Sequence, residues 1–178
     1  RGGYTTADWK ASKPVDRPTI LDGGGAKRVV FVAGPITFTM ENLHVRSGDA
    51  TGLGGVWGGD GGGLYAITAT VVLDANEIYS NTAESGGGVA LDSSSDAILA
   101  RNDIHGNTAR NGAGVYLDHC HGVTLTGNRF HGNKKARSGG AVYIDFSNRV
   151  AITTNEIHDN MALHGGGLFA RYCYHSTL

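Results

Sequence analysis

Three histidines recur in one slot of this chain: NDIHGN at 102–107, NRFHGN at 128–133 and NEIHDN at 155–160. Imidazole nitrogen is a common ligand of zinc and copper, at about 2.0–2.1 Å from zinc. His105, His131 and His158 are therefore candidate metal ligands. A stable site needs a third or fourth donor. The column two residues earlier, Glu77, Asp103, Arg129 and Glu156, offers carboxylates. The plainer reading is a ladder of solvated, stacked imidazoles whose side chains run parallel without converging.

A second constellation joins aromatic rings to carboxylates. Tyr116 and Tyr143 recur beside Asp92, Asp118 and Asp145, and Trp57 stands in a glycine-rich stretch nearby. Aromatic faces next to carboxylates suit sugar rings, and three aspartates in a row repel unless calcium or hydrogen bonds compensate. These six residues are the candidate ligand-binding set, with calcium the one cofactor considered. Against this, Leu-Asp-x-Ser and Leu-Asp-x-Cys recur together, and such an Asp can cap a turn through backbone N–H groups. No catalytic residue is assigned. Hydrolysis needs carboxylates at about 5.5 Å or 6.5–9.5 Å, which any Asp ladder meets trivially. Elimination needs a basic side chain on that face, where only Arg171 stands.

What positions these residues is a repeat. Glycine-rich triplets open at Gly61, Gly86, Gly112, Gly139 and Gly165, spaced 25, 26, 27 and 26. Apolar columns keep the same beat: Ile78, Ile104, Phe130, Ile157; Leu73, Leu99, Leu125, Ile152; Leu64, Val89, Val115, Val142, Leu168. Asparagine marks two more, Asn76, Asn102, Asn128, Asn155 and Asn81, Asn107, Asn133, Asn160. Self-similarity at 20–50 residues marks a solenoid. Short period-2 apolar runs separated by Gly, Ser, Asp and Asn make the coils β rather than α. Stacked coils place each column on a ladder about 4.8 Å per step. The glycines and asparagines then read as turn and ladder residues. Extended backwards, the pattern aligns Val45 with Ile78, Gly48 with Asn81, and Ile20 with Val45. The longer interval from Val45 to Ile78 places an inserted loop at residues 51–61, lifting Trp57 and Asp60 off the stack.

Cys120 and Cys173 share a column with Ser94 and Ser147. They stand two coils apart, about 9–10 Å, beyond the roughly 4.4–6.8 Å Cα separation of a disulfide. Two inert thiols are expected.

A net charge of −1 gives no footprint for nucleic acid, and no apolar run approaches the roughly 18 residues of a membrane-spanning helix.

Units of the form G-G-G-V-x-L-D…V-x-L-x-x-N-x-I-x-x-N-x-A, preceded by RGGYTTADW and TILDGGG, resemble bacterial right-handed parallel β-helix domains of the pectin-lyase-like superfamily. The chain is similar to polymorphic outer membrane proteins and choice-of-anchor Q domain surface proteins. The resemblance implies right-handed coils, in line with the preference of parallel crossovers, and a secreted or cell-surface setting. The expected architecture is all-β, a single domain over 1–178 of about six coils of roughly 26 residues with three short strands each. Residues 1–18 form the lead-in, and the last coil is unfinished, which reads as a fragment of a longer chain. The expected role is a non-catalytic rigid or adhesive module, with another protein or a polysaccharide as partner. Two alternatives stand beside it: a carbohydrate-binding or polysaccharide lyase-like domain using the Tyr/Asp face, and a filament subunit that self-associates end to end.

Overall fold

The computed structural model describes residues 18–54 and 58–177. Strands follow one another coil by coil. The first coil holds β1 (Thr19–Asp22), β2 (Val30–Ala33) and β3 (Thr37–Glu41); the second β4 (Leu43–Arg46), β5 (Leu64–Ile67) and β6 (Thr70–Asp74). Then come β7 (Glu77–Tyr79), β8 (Val89–Asp92) and β9 (Ile98–Ala100), followed by β10 (Asp103–His105), β11 (Val115–Asp118) and β12 (Thr124–Thr126). The fifth coil has β13 (Arg129–His131), β14 (Ala136–Ser138), β15 (Val142–Asp145) and β16 (Ala151–Thr153). The sixth has β17 (Glu156–His158), β18 (Ala162–His164) and β19 (Leu168–Arg171). Among the described residues no helix is long and apolar enough to cross a membrane.

Equivalent strands stack into three parallel sheets, β1-β4-β7-β10-β13-β17, β2-β5-β8-β11-β15-β19 and β3-β6-β9-β12-β16. A short fourth pairing, β14 with β18, forms strands in the last two coils and continues back through the stack as isolated parallel bridges such as Ser85 with Asn111 and Asn111 with Ser138. Register follows the sequence columns: Ile78 pairs with Ile104 and that with Phe130, and Val89 pairs with Val115 and that with Val142. The inward columns of the three sheets land in one continuous core running through the stack, from Val32 to Val150, and a smaller cluster of Ala109, Ala113 and Ala136 sits apart from it.

The first coil departs from the expected register. Ile20 pairs with His44, and it is Leu21 that pairs with Val45 and packs on the core. This coil is one residue shorter than the period implied. A one-residue slip turns every side chain to the other face, which leaves Ile20 exposed.

Asparagine ladders seal two corners. Asn102 donates from its backbone N and its Nδ2 to Oδ1 of Asn128, at 2.9 and 3.0 Å, and Nδ2 also donates to the Leu73 carbonyl at 2.9 Å. Asn107 does the same toward Asn133 and Ile78. Both side chains are buried, so the amide satisfies corner groups that water cannot reach.

Within each glycine triplet the positions do different jobs. Gly112 has φ 55°, and a Cβ there would sit 2.4 Å from the Val115 carbonyl oxygen. A Cβ on Gly88 would sit 2.6 Å from the Gly114 oxygen of the next coil. The first glycine makes the turn, and the last lets neighbouring coils approach.

The stack resumes inside the expected insertion. Asp60, expected off the stack, forms a parallel bridge with Ser85. Arg28 explains this by donating to the carbonyls of Gly58, Asp60 and Gly61 at 2.6–3.1 Å. Trp57 and residues 1–17 of the lead-in lie outside the described residues.

Candidate functional site

The second sheet ends each coil with a sharp corner. After Asp92, Asp118, Asp145 and Arg171 come Ser93, His119, Phe146 and Tyr172, all left-handed at φ 48, 50, 42 and 52°. Next come Ser94, Cys120, Ser147 and Cys173, which hold the turn. Ser147 Oγ donates to the Asp145 carbonyl at 2.7 Å and accepts from the Cys120 backbone N at 3.0 Å. The Cys120 thiol contacts the carbonyls of Asp118 and Leu91 at 3.2 and 3.4 Å. Burial pushes this thiol up to about 12, and both cysteines are free, so the column is a turn support with no reactive thiolate.

The aspartates do not cap the turn, contrary to that expectation, because the shorter Ser and Cys side chains two residues on already fill the role. Their carboxylates take side-chain partners instead. Asp92 accepts from Ser93 Oγ at 2.8 Å and from the Tyr65 hydroxyl at 3.4 Å. Asp145 is gripped by Arg171, Nε to Oδ1 at 2.9 Å and Nη2 to Oδ2 at 2.5 Å. Asp118 is the exception: its Oδ1 lies 2.8 Å from His119 Nδ1 yet accepts no hydrogen bond. Burial, reinforced by the charges of Asp92 and Asp145, raises its proton affinity above the ordinary carboxylate range, with His119 opposing.

Tyr116 and Tyr143 stack at 5.2 Å between centroids, and Tyr143 on Phe169 at 5.1 Å. Tyr143 is nevertheless only 4% exposed. The glycine turns run across the foot of this column: a Cβ on Gly139 would lie 2.8 Å from that of Tyr143. The expected open platform is therefore largely covered, with Tyr116 half-buried.

The open aromatic surface is one corner away. His119 stacks on Phe146 at 5.1 Å and Phe146 on Tyr172 at 4.6 Å, within 14° of parallel. Phe146 is 44% exposed and Tyr172 56%. A cleft of about 390 Å³ lies on the other flank of the tyrosine column, lined by Arg110, Arg137, Tyr143, His164, Phe169 and Arg171.

On the first sheet the histidine ladder is present. Tyr79, His105, His131 and His158 stack at 5.2, 4.7 and 5.3 Å, all within 10° of parallel. Carboxylates one coil below reach the rings diagonally: His105 Nε2 lies 3.0 Å from Glu77 Oε1, and His131 Nε2 lies 3.0 Å from Asp103 Oδ1. His158 turns elsewhere, with Nδ1 2.8 Å from Asp159 Oδ2. Burial opposes ionisation of Asp103, yet Arg129, His105 and His131 outweigh it and hold the carboxyl below its usual range.

A family model described as "Right handed beta helix region" matches residues 37–178. The chain belongs to the right-handed β-helix family. No curated protein and no solved structure matches it. Membership fixes the handedness of this β-helix and is silent on ligands. Two functional candidates escaped the sequence reading of the β-helix: Phe146 and Tyr172. Their signal was the residue just before each Ser or Cys of the corner column, a left-handed slot that carries His119, Phe146 and Tyr172 in the last three coils.

Proposed function

We propose that this β-helix is a non-catalytic adhesive module of a secreted or cell-surface protein that holds saccharide chains along its aromatic corner. On the motifs RGGYTTADW and TILDGGG we place it within the pectin-lyase-like superfamily, near polymorphic outer membrane proteins and choice-of-anchor Q proteins.

One observation carries the reading: three rings occupy consecutive left-handed corners. An L-residue there costs ~1–2 kcal/mol where glycine or asparagine costs little. Phe146 and Tyr172 bear that strain while exposing apolar surface to water. The same slot holds Thr68 and Ser93 in earlier coils, so the turn itself requires no ring; a ligand that covers the rings favours the aromatics. Spaced one coil apart, the rings offer stacking faces for successive sugars. Across the tyrosine column from this corner, Arg110 and Arg137 in the cleft pair with no carboxylate among the described residues, which favours acidic saccharides. Asp145 is tied to Arg171, which supports binding rather than acid–base chemistry on this face. Calcium is the cation to test against the stacked Asp92, Asp118 and Asp145.

A glycan array of neutral and acidic polysaccharides, with and without calcium, tests the reading. Phe146→Ala and Tyr172→Ala should each weaken binding about tenfold, or about 1.4 kcal/mol. Tyr116→Ala and Tyr143→Ala weaken it further if the covered column contributes. Phe146→Gly separates binding from stability, because relief of ~1 kcal/mol of strain offsets ~1 kcal/mol of lost stacking. Its Tm should stay within a few degrees while binding drops. Binding to no polysaccharide, or full binding by Phe146→Gly, sinks the proposal.

A further inference from the structure

We infer that the first sheet carries a binding site for a divalent transition-metal ion of the zinc class, with His105, His131 and Asp103 as protein ligands. One donor atom from each of these residues lies within 4.8 Å of the other two. That spread equals the ladder step of the stacked rings; what the repeat does not dictate is a carboxylate beside each Nε2. Both Nε2 atoms are turned to the same side by carboxylates one coil below, Glu77 for His105 and Asp103 for His131, each at 3.0 Å. Those contacts bring nitrogen and oxygen donors together on one side of the ladder, where a metal ion can take the place of the hydrogen bond.

Geometry sets how much must move. Zinc bonds of about 2.0–2.2 Å in a tetrahedral arrangement need donors about 3.3 Å apart. The present spread closes with side-chain shifts of about 1 Å, and all three side chains are a quarter or more exposed, so they have room. The two rings stack within 10° of parallel, so one must also tilt for both lone pairs to meet at one point. The strand backbone need not change.

Next to the trio lies a cavity of about 450 Å³ lined by His44, Glu77, Arg101 and Asp103 among others. It provides an entry path and an open coordination position, which Glu77 or water can fill. Arg129 is the counter-argument, since a guanidinium repels a cation. It engages only Oδ2 of Asp103, leaves Oδ1 facing the histidines, and is half exposed to screening solvent. Two imidazoles and one carboxylate select zinc, copper or nickel over calcium and magnesium, which want oxygen ligands. His158 shares the ladder but lies outside the group of donor atoms within 4.8 Å of one another, and its Nε2 faces Glu156 Oε1 at 3.6 Å instead.

Calorimetric titration of the 178-residue chain with Zn²⁺ tests this. One saturable site per chain is expected, with a micromolar or tighter Kd and a rise in Tm. His105→Gln, His131→Gln and Asp103→Asn should each weaken it at least tenfold, while His158→Gln leaves it unchanged. A readout without substitution comes from Co²⁺ and NMR: the imidazole signals of His105 and His131 should shift together, ahead of the other histidines. Absence of a saturable site, unchanged affinity in the His105→Gln/His131→Gln double variant, or equal loss in His158→Gln overturns the inference.

Discussion

At the scale of single residues, the least comfortable group in the molecule is Asp118. Its Oδ1 is buried and accepts no hydrogen bond, between Asp92 one coil below and Asp145 one coil above. A carboxyl whose native proton affinity is raised binds its proton more readily folded than unfolded. Between the ordinary carboxylate pKa and the raised native value the folded state carries more protons, so stability grows as pH falls through that window. Asp103, held below the ordinary range, acts oppositely, and its contribution is lost only at lower pH still. Asp118→Asn should therefore raise stability at pH 7 by about 1 kcal/mol, the low end of the cost of an unsatisfied buried group. It should also flatten the gain on mild acidification. Urea denaturation of both proteins from pH 4 to 7 checks this, and a variant that is less stable at pH 7 would show the carboxylate is held favourably after all.

At the scale of elements, the strand columns were legible in the sequence because each inward residue repeats once per coil, and stacking leaves it no other place to go. Legibility ended where the repeat gives no contrast. Ile20 and Leu21 are both apolar neighbours, so period alone could not choose between them; pairing with β4 chose Leu21. The histidine slot was readable, but not that Asp103 reaches His131 from the coil below, since a diagonal contact depends on side-chain length and tilt. Phe146 and Tyr172 were missed because a left-handed corner follows neither the apolar nor the polar column. The asparagine ladders were read correctly as structural, and their strength follows from counting partners. Asn107 Oδ1 accepts from the N and Nδ2 of Asn81, and its own Nδ2 serves Asn133 and Ile78. Asn107→Ala strands the Asn81 backbone N and an Nδ2 hydrogen, and takes the side-chain donor from the Ile78 carbonyl and from Asn133 Oδ1. At about 1–3 kcal/mol per unsatisfied buried group, thermal or chemical unfolding should report a loss of about 3 kcal/mol. A loss under 1 kcal/mol would mean that water enters the corner.

At the scale of the whole molecule, a coil touches only the coils beside it, so stability approximates a sum of coil and interface terms rather than one global core. Phe130 probes this. Among the described residues it is the largest fully buried side chain, standing in a column that otherwise holds Leu21, Val45, Ile78, Ile104 and Ile157. The ring therefore fills space that its aliphatic neighbours leave, and truncation opens a cavity at β13. Phe130→Ala should cost about 3–5 kcal/mol, but in a stacked array that cost falls on the coils that share the cavity. Native-state hydrogen exchange should show protection lost in β10, β13 and β17 and in the strands of the same coils, while β4 and β5 keep theirs. The physical reason is that Val45 and Leu64 meet the cavity only through two intervening coils, and each interface between them has its own unbroken hydrogen-bond ladder. Uniform loss of protection from β4 to β19 would instead show that the six coils unfold as one cooperative unit, with coupling stronger than nearest-neighbour packing supplies.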